Sequence, residues 1–237
     1  GIVSSMGAYA PTIRHHDGMF YIINTLVKSD SRSNFIVTTT DPAGDWSEPL
    51  WLDDAPGIDP SLFFDDDGRA WYVGNRVPPQ GERFRSHREI WLRELDLDAM
   101  QLTGETYILW DGALRDAVHA EAPHIYKKDG FYYLMIAEGG TFHDHAVTIA
   151  RSELITGPYV GNVRNPILTH RHLGKSFPIV ATGHADLVET QNGEWYMVAL
   201  ACRPYDGYFY NLGRETFMMP VIWEDGWPVV SPGTGKI

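Results

Sequence analysis

The sequence predicts an all-β fold of the propeller type, and three observations predict it. A hairpin pattern recurs four times, with turn glycines Gly18, Gly68, Gly130 and Gly193 spaced by 50, 62 and 63 residues. No stretch keeps a 3.6-residue apolar period over three turns, so helix should be scarce. Aromatics are abundant, with 8 Trp, 12 Tyr and 10 Phe in 237 residues, which suits strands and sugar-stacking surfaces alike. A repeat of this length marks small sheets set side by side in a closed array.

In chain order, the first copy runs Ala10-Pro11-Thr12-Ile13 into Asp17-Gly18-Met19-Phe20-Tyr21, and Phe35 to Thr40 then alternates before the Asp41–Trp46 turn. The second runs Asp59-Pro60-Ser61-Leu62 into Asp67-Gly68-Arg69-Ala70-Trp71-Tyr72, followed by a polar loop from Arg76 to Arg88 and strands at Ile90–Leu97 and Thr106–Trp110. The third runs Ala122-Pro123-His124-Ile125 into Asp129-Gly130-Phe131-Tyr132-Tyr133, then a loop from Gly139 to His145 and a strand at Ala146–Ser152. The fourth runs Ala185-Asp186-Leu187-Val188 into Asn192-Gly193-Glu194-Trp195-Tyr196, with a further strand read at Leu212–Trp223. Each copy is a strand, an Asp/Asn-Gly turn and an aromatic strand, the strongest local signal for a β-hairpin.

In a propeller the innermost strand of each blade starts near one end of the central channel. The residues heading the copies should therefore converge: Tyr9 and Ala10, Ile58 and Asp59, Glu121 and Ala122, His184 and Ala185. Two acids and a histidine at one mouth make an active-site constellation. Asp59 before Pro60 would by itself read as a turn residue; its shared register with Glu121 is what gives it a function. His184 also reads as a hydrogen-bonded core histidine, and Arg214 with Glu215 as a cross-strand ion pair. Asp65-Asp66-Asp67-Gly68 lacks the spaced ligands of a calcium loop and reads as a hairpin turn. His15 and His16 fall in the equivalent turn of the first copy and read as surface.

The formal charge is −12, from 19 basic and 31 acidic residues. With no basic patch, nucleic acid is a poor partner and a neutral substrate fits better. The longest apolar stretches, such as Phe131 to Ala137, are strand-sized, so no membrane span is expected. No leader is read at the start, and the compartment is left open. Cys202 stands alone and reads as core. The regular repeats argue for one domain over residues 1–237.

The heads resemble glycoside hydrolase family 43, five-bladed propeller enzymes that cleave xylosides and arabinosides. The resemblance is carried by Tyr9-Ala10-Pro11-Thr12-Ile13-Arg14, Ile58-Asp59-Pro60-Ser61-Leu62-Phe63-Phe64, Glu121-Ala122-Pro123-His124, Ala137-Glu138-Gly139-Gly140-Thr141, Gly183-His184-Ala185-Asp186-Leu187-Val188 and Leu212-Gly213-Arg214-Glu215-Thr216-Phe217. It implies an inverting β-xylosidase or α-L-arabinofuranosidase acting on xylo- or arabino-oligosaccharides, with Glu121 as general acid and Asp59 as the aspartate that raises its pKa. The family's base belongs to an Asp-Pro-Ser-type head in a blade ahead of Tyr9. About four of five blades are expected here, with the base before Gly1 and the catalytic domain incomplete at its N-terminus.

Substrate contacts are implied for Arg214, for Tyr9 as a stacking wall, for His184 facing the channel, and for His145, with His143, on the leaving-group side. No cofactor is required; the resemblance admits a structural calcium in the channel, with His184 as the candidate ligand. Some relatives carry a β-sandwich after the propeller, which the parent protein is free to share. Two rival functions stay open: a non-catalytic carbohydrate-binding propeller, and a fructan-cleaving five-bladed hydrolase, which would need an Asn-Asp-Pro head and a Glu-Cys pair not found here.

Overall fold

The computed structural model describes residues 6–28 and 31–237. All four expected hairpins form, and each grows into a small antiparallel sheet. The first sheet contains β1 (Gly7–Ala8), β2 (Thr12–His16), β3 (Met19–Val27), β4 (Arg32–Thr39) and β5 (Leu50–Leu52); β1 and β2 both pair with β3. The second orders β6 (Ser61–Phe64), β7 (Ala70–Arg76), β8 (Glu89–Asp96) and β9 (Gln101–Trp110). The third holds β10 (Glu121–Lys128), β11 (Phe131–Glu138) and β12 (Ala146–Ser152), with the short β13 (Val160–Gly161) and β14 (Leu168–Thr169) both on β12. The fourth orders β15 (Val180–Glu189), β16 (Trp195–Cys202), β17 (Glu215–Glu224) and β18 (Trp227–Val230). Among the described residues the one helical element is a 3₁₀ turn at Arg171–Leu173.

The sheets stack as blades because side chains alternate along each strand. On β7, Tyr72 joins Ile23, Ile36, Leu62 and Trp91 in a core between the first two sheets. Its neighbours Trp71 and Val73 point the other way, to a core with Ile125, Leu134 and Ile136 of the third sheet. On β11, Tyr133 and Met135 face onward to Leu187, Met197 and Val221 of the fourth. Each such buried side chain contributes roughly 1.5–3 kcal/mol. Polar ties add direction: Asp65, in the acidic turn, accepts from Lys127 Nζ and from Tyr132 Oη, both at 2.6 Å, in the next blade. His16 is not simply surface, since its ring stacks on Phe64 at 4.4 Å.

Among the described residues no hydrophobic cluster joins the fourth sheet to the first. Along that seam Ile13, Val188 and Met218 stay exposed. The sheets are tied there by a polar brace across the channel, from Arg14 to Asp186.

Candidate active site

Three of the four innermost strands lead in from a strained head. Continuous pairing begins at Thr12, Ser61, His124 and Asp186, opposite Ile23, Val73, Met135 and Val198. Two residues earlier in each copy stand Ala10, Asp59, Ala122 and His184. The last three share one left-handed backbone conformation, with φ of 50°, 49° and 51°. A non-glycine residue rarely pays that cost of about 1–2 kcal/mol unless the surroundings impose it. This register corrects the expected alignment of the fourth copy by one residue: His184, not Ala185, is the counterpart of Asp59 and Ala122. The slip has a cause, since β15 carries two register shifts, one on either side of Gly183.

Local packing fixes the heads. A Cβ on Gly57 would sit 1.6 Å from the carbonyl oxygen of Asn75, so the chain must pass there as glycine. Asn75 Nδ2 in turn donates to Ile58 O at 2.9 Å, seating the residue before Asp59. Gly183 lies against the His145 ring, where a Cβ would come within 2.4 Å of the ring atoms.

The heads do converge. One carboxylate oxygen each of Asp59 and Glu121 and one ring nitrogen of His184 lie within 4.8 Å of one another. Beside them opens a cavity of about 330 Å³, walled by Thr12, Asp59, His124, His184, Asp186 and Thr216 among others. It reaches into the gap between the first and fourth sheets, where Ile13 and Thr216 face each other.

Burial and mutual repulsion set the protonation of this group. Desolvation raises the Glu121 carboxyl first, and the Asp59 charge raises it further, to about 8. Asp59 is itself raised, by burial, while Arg214 pulls it back. Two carboxyls this close hold one proton between them near neutral pH. Burial drives His184 down to about 3, so its imidazole is neutral and can accept or donate a hydrogen bond without adding charge.

Below the heads, Arg14 of β2 reaches across the channel to Asp186 of β15, with guanidinium–carboxylate distances of 2.8 and 3.1 Å. Tyr126 Oη donates to the same carboxylate at 2.6 Å. Arg14 Nη2 also lies 3.0 Å from His124 Nδ1. A guanidinium has only donors, so Nδ1 accepts and the His124 proton sits on Nε2. Burial lowers His124 to about 4, which keeps it neutral.

Asp186 is lowered to about 2 because the charge of His124 (protonated only in acid), the permanent charge of Arg14 and the bonds from Arg14 and Tyr126 together outweigh its desolvation. Its folded pKa lies below its unfolded one, so its contribution to stability is present above about pH 4 and lost as pH falls through about 2. Asp186→Asn is therefore expected to cost about 2–4 kcal/mol in urea unfolding at pH 7, with the gap closing in acid. An equal cost at pH 7 and pH 2 would contradict this.

The structure treats the other expected residues unevenly. Arg214 stands exposed on the loop before β17, not inside a strand, because the Tyr210–Gly213 turn closes with Gly213 N donating to Tyr210 O at 3.1 Å. It makes no ion pair among the described residues, yet its charge reaches Asp59, Glu121, His145 and His184. An uncommitted guanidinium over two acids is free to bind hydroxyls. Tyr9 is 36 % exposed at the mouth, one residue before Ala10 and in the repeat position of Glu121.

His145 is a correction. It is fully buried beneath Gly183, close to Ala181 O at 3.1 Å through Nδ1, and cannot touch a substrate. His143 Nδ1 instead meets Tyr208 Oη at 2.9 Å.

The sequence reading assigned no role to Arg14, His124, Tyr126, Asp186 or Glu138. Glu138 ends the apolar strand β11, is 1 % exposed, and accepts from Ala113 N at 2.5 Å and Thr148 Oγ1 at 2.7 Å. An acid at the end of an apolar run was the signal available.

The match to the glycosyl hydrolases family 43 model covers residues 2–228. Among curated proteins the chain is 57 % identical, over 98 % of its length and 45 % of the relative's, to a xylosidase/arabinosidase of Butyrivibrio fibrisolvens. It is 39 % identical, over 96 % of its length and 41 % of the relative's, to a non-reducing end α-L-arabinofuranosidase of Bacteroides ovatus. Among solved structures it is similar to a xylan β-1,4-xylosidase from Bacillus halodurans, with a TM-score of 0.92 at 40 % identity, covering all of this chain and 46 % of that one. The chain thus spans about half the length of the relatives it matches. With four blades in propeller order, converging acids and a match along nearly its whole length, the chain belongs to family 43 of the glycosyl hydrolases.

Proposed function

We propose that this chain supplies most of the active site of a glycoside hydrolase that releases xylose or arabinose from hemicellulose-derived oligosaccharides with inversion. The observation that carries it is the Asp59–Glu121 pair, two carboxyls with oxygens within 4.8 Å at the channel mouth, each raised by burial. Glu121 is the general acid, protonating the departing glycosidic oxygen. Asp59 acts through Glu121, holding its pKa up by like charge. Arg214 binds sugar hydroxyls, His184 faces the ring from the channel side, and Tyr9 stands at the rim.

An inverting pair is separated by about 6.5–9.5 Å to leave room for water, and these two are too close for that. The base is therefore a third carboxylate, which we assign to a blade in the open seam between the fourth and first sheets, from a part of the protein ahead of this chain. The domain formed by residues 1–237 is thus read as an incomplete propeller, and the parent protein as free to carry a β-sandwich beyond it. A non-catalytic sugar-binding propeller would have no need of two carboxyls raised by mutual burial.

No cofactor is required for this chemistry. Asp59, Glu121 and His184 form a compact donor set, but calcium takes six to eight oxygen ligands, and a cation between the acids would displace the proton Glu121 must give. The set does not fit a resident calcium. The intact protein is expected to release free pentose from xylobiose or from an aryl α-L-arabinofuranoside. Tight oligosaccharide binding without any turnover would overturn the reading.

A further inference from the structure

A second cavity, of about 720 Å³, lies between the outer strands of the first sheet and the face of the second. Its walls include Trp51, Asp53 and Asp54 on one side and Arg76, Trp91 and Arg93 on the other. Innermost strands run away from the channel mouth, so second strands end at the mouth and fourth strands do too. Leu52 at the end of β5 and Arg76 at the end of β7 therefore bring this cavity to the same side as the acids. The connection Asp53–Ile58 that borders it is the one that delivers Asp59.

Apart from Arg76, its charged groups are uncommitted among the described residues. Trp51 is 46 % exposed, and among the described residues its one ring contact is Phe35, tilted at 5.1 Å, which leaves a face of the indole open. Asp53, Asp54 and Arg93 enter no ion pair or side-chain hydrogen bond among the described residues. Two donors in the wall lack acceptors: Arg93 Nε and Nε1 of Trp91, a side chain only 1 % exposed. Both N–H groups lie out of reach of solvent, so the groups that present themselves to the cavity are Trp51, Asp53 and Asp54. Arg76 is held rigid by Glu89 at 2.8 Å.

Charges of both signs exclude a strongly anionic or cationic ligand. A flat indole wall, free carboxylate acceptors and guanidinium donors match a neutral polyhydroxylated ring, with its C–H face on the indole and its hydroxyls on the charges. We propose that this cavity is a second carbohydrate site, which holds a pentose-polymer segment on the mouth side of the propeller while a chain end occupies the acids. This rests on the function proposed above for Asp59 and Glu121. Two points of attachment raise the local concentration of chain ends at the catalytic mouth.

The test uses the intact protein with Glu121→Gln, so that polymer is bound and not consumed, and measures retardation in affinity electrophoresis through soluble xylan. Trp51→Ala is expected to weaken retardation about tenfold, and Asp54→Ala to weaken it as well. In the active background, both variants should keep kcat/KM on an aryl pentoside within about twofold. Unchanged retardation in both variants would overturn the proposal, as would a loss on the aryl pentoside equal to the loss on polymer. If the unsubstituted protein cleaves no aryl pentoside, the catalytic reading itself has failed; if it cleaves them but retardation ignores Trp51 and Asp54, only the second site has.

Discussion

Glu121→Gln is expected to lower kcat on xylobiose or its arabinosyl counterpart by about 10²–10⁴. Glutamine keeps the shape of the side chain and removes the transferable proton. The loss should shrink sharply on aryl glycosides whose phenol leaves without protonation, because the acid then has little to do. This leaving-group dependence separates a general acid from a side chain that merely packs. Glu121 is poised for the role since burial first, and the Asp59 charge next, hold its carboxyl up to about 8. A loss of the same size on both substrate types would mean that Glu121 does not donate the proton.

Asp59→Asn is expected to cost about 10–10² in kcat/KM and to move the alkaline limb of the pH profile down by about one to two units. The sign follows from the pair. A raised acid is protonated, and therefore competent, below its pKa, and activity falls as pH climbs through about 8. Removing the neighbouring charge lets Glu121 ionise earlier, so the fall begins at lower pH. Desolvation of Glu121 persists in the variant, which is why the limb shifts but does not return to that of an exposed glutamate. A profile that keeps its alkaline limb in place while the rate drops would show that Asp59 acts by some route other than the pKa of Glu121.

Much of this was legible in the sequence. The Asp/Asn-Gly turns gave all four hairpins, and the bulk of Trp71, Tyr72, Tyr133 and their neighbours gave blades packed face to face. Asp59, Glu121 and His184 were legible because each heads a copy, and the fold brings heads together. What was not legible depends on features with no local signature. The backbone irregularities around Gly183 shift the fourth head by one residue, and hairpin patterning cannot show a bulge.

Arg14 and Asp186 lie 172 residues apart, and only the circular placing of the blades about one channel makes them partners. His145 was read into the pocket because its loop follows the third hairpin. The glycine at 183 instead lets its ring tuck beneath the fourth head, out of reach of substrate.

Asp59 acts here as a modulator and not as a nucleophile, and the geometry makes that a sharp question. Retaining glycosidases place their two carboxyls about 5–5.5 Å apart, and Asp59 and Glu121 have oxygens within 4.8 Å. Proton NMR of the first-formed pentose, recorded on the intact protein before mutarotation, decides between the roles. Inversion at the anomeric carbon is the expected result, with water activated by a base beyond this pair. Retention would make Asp59 the nucleophile and contradict the account.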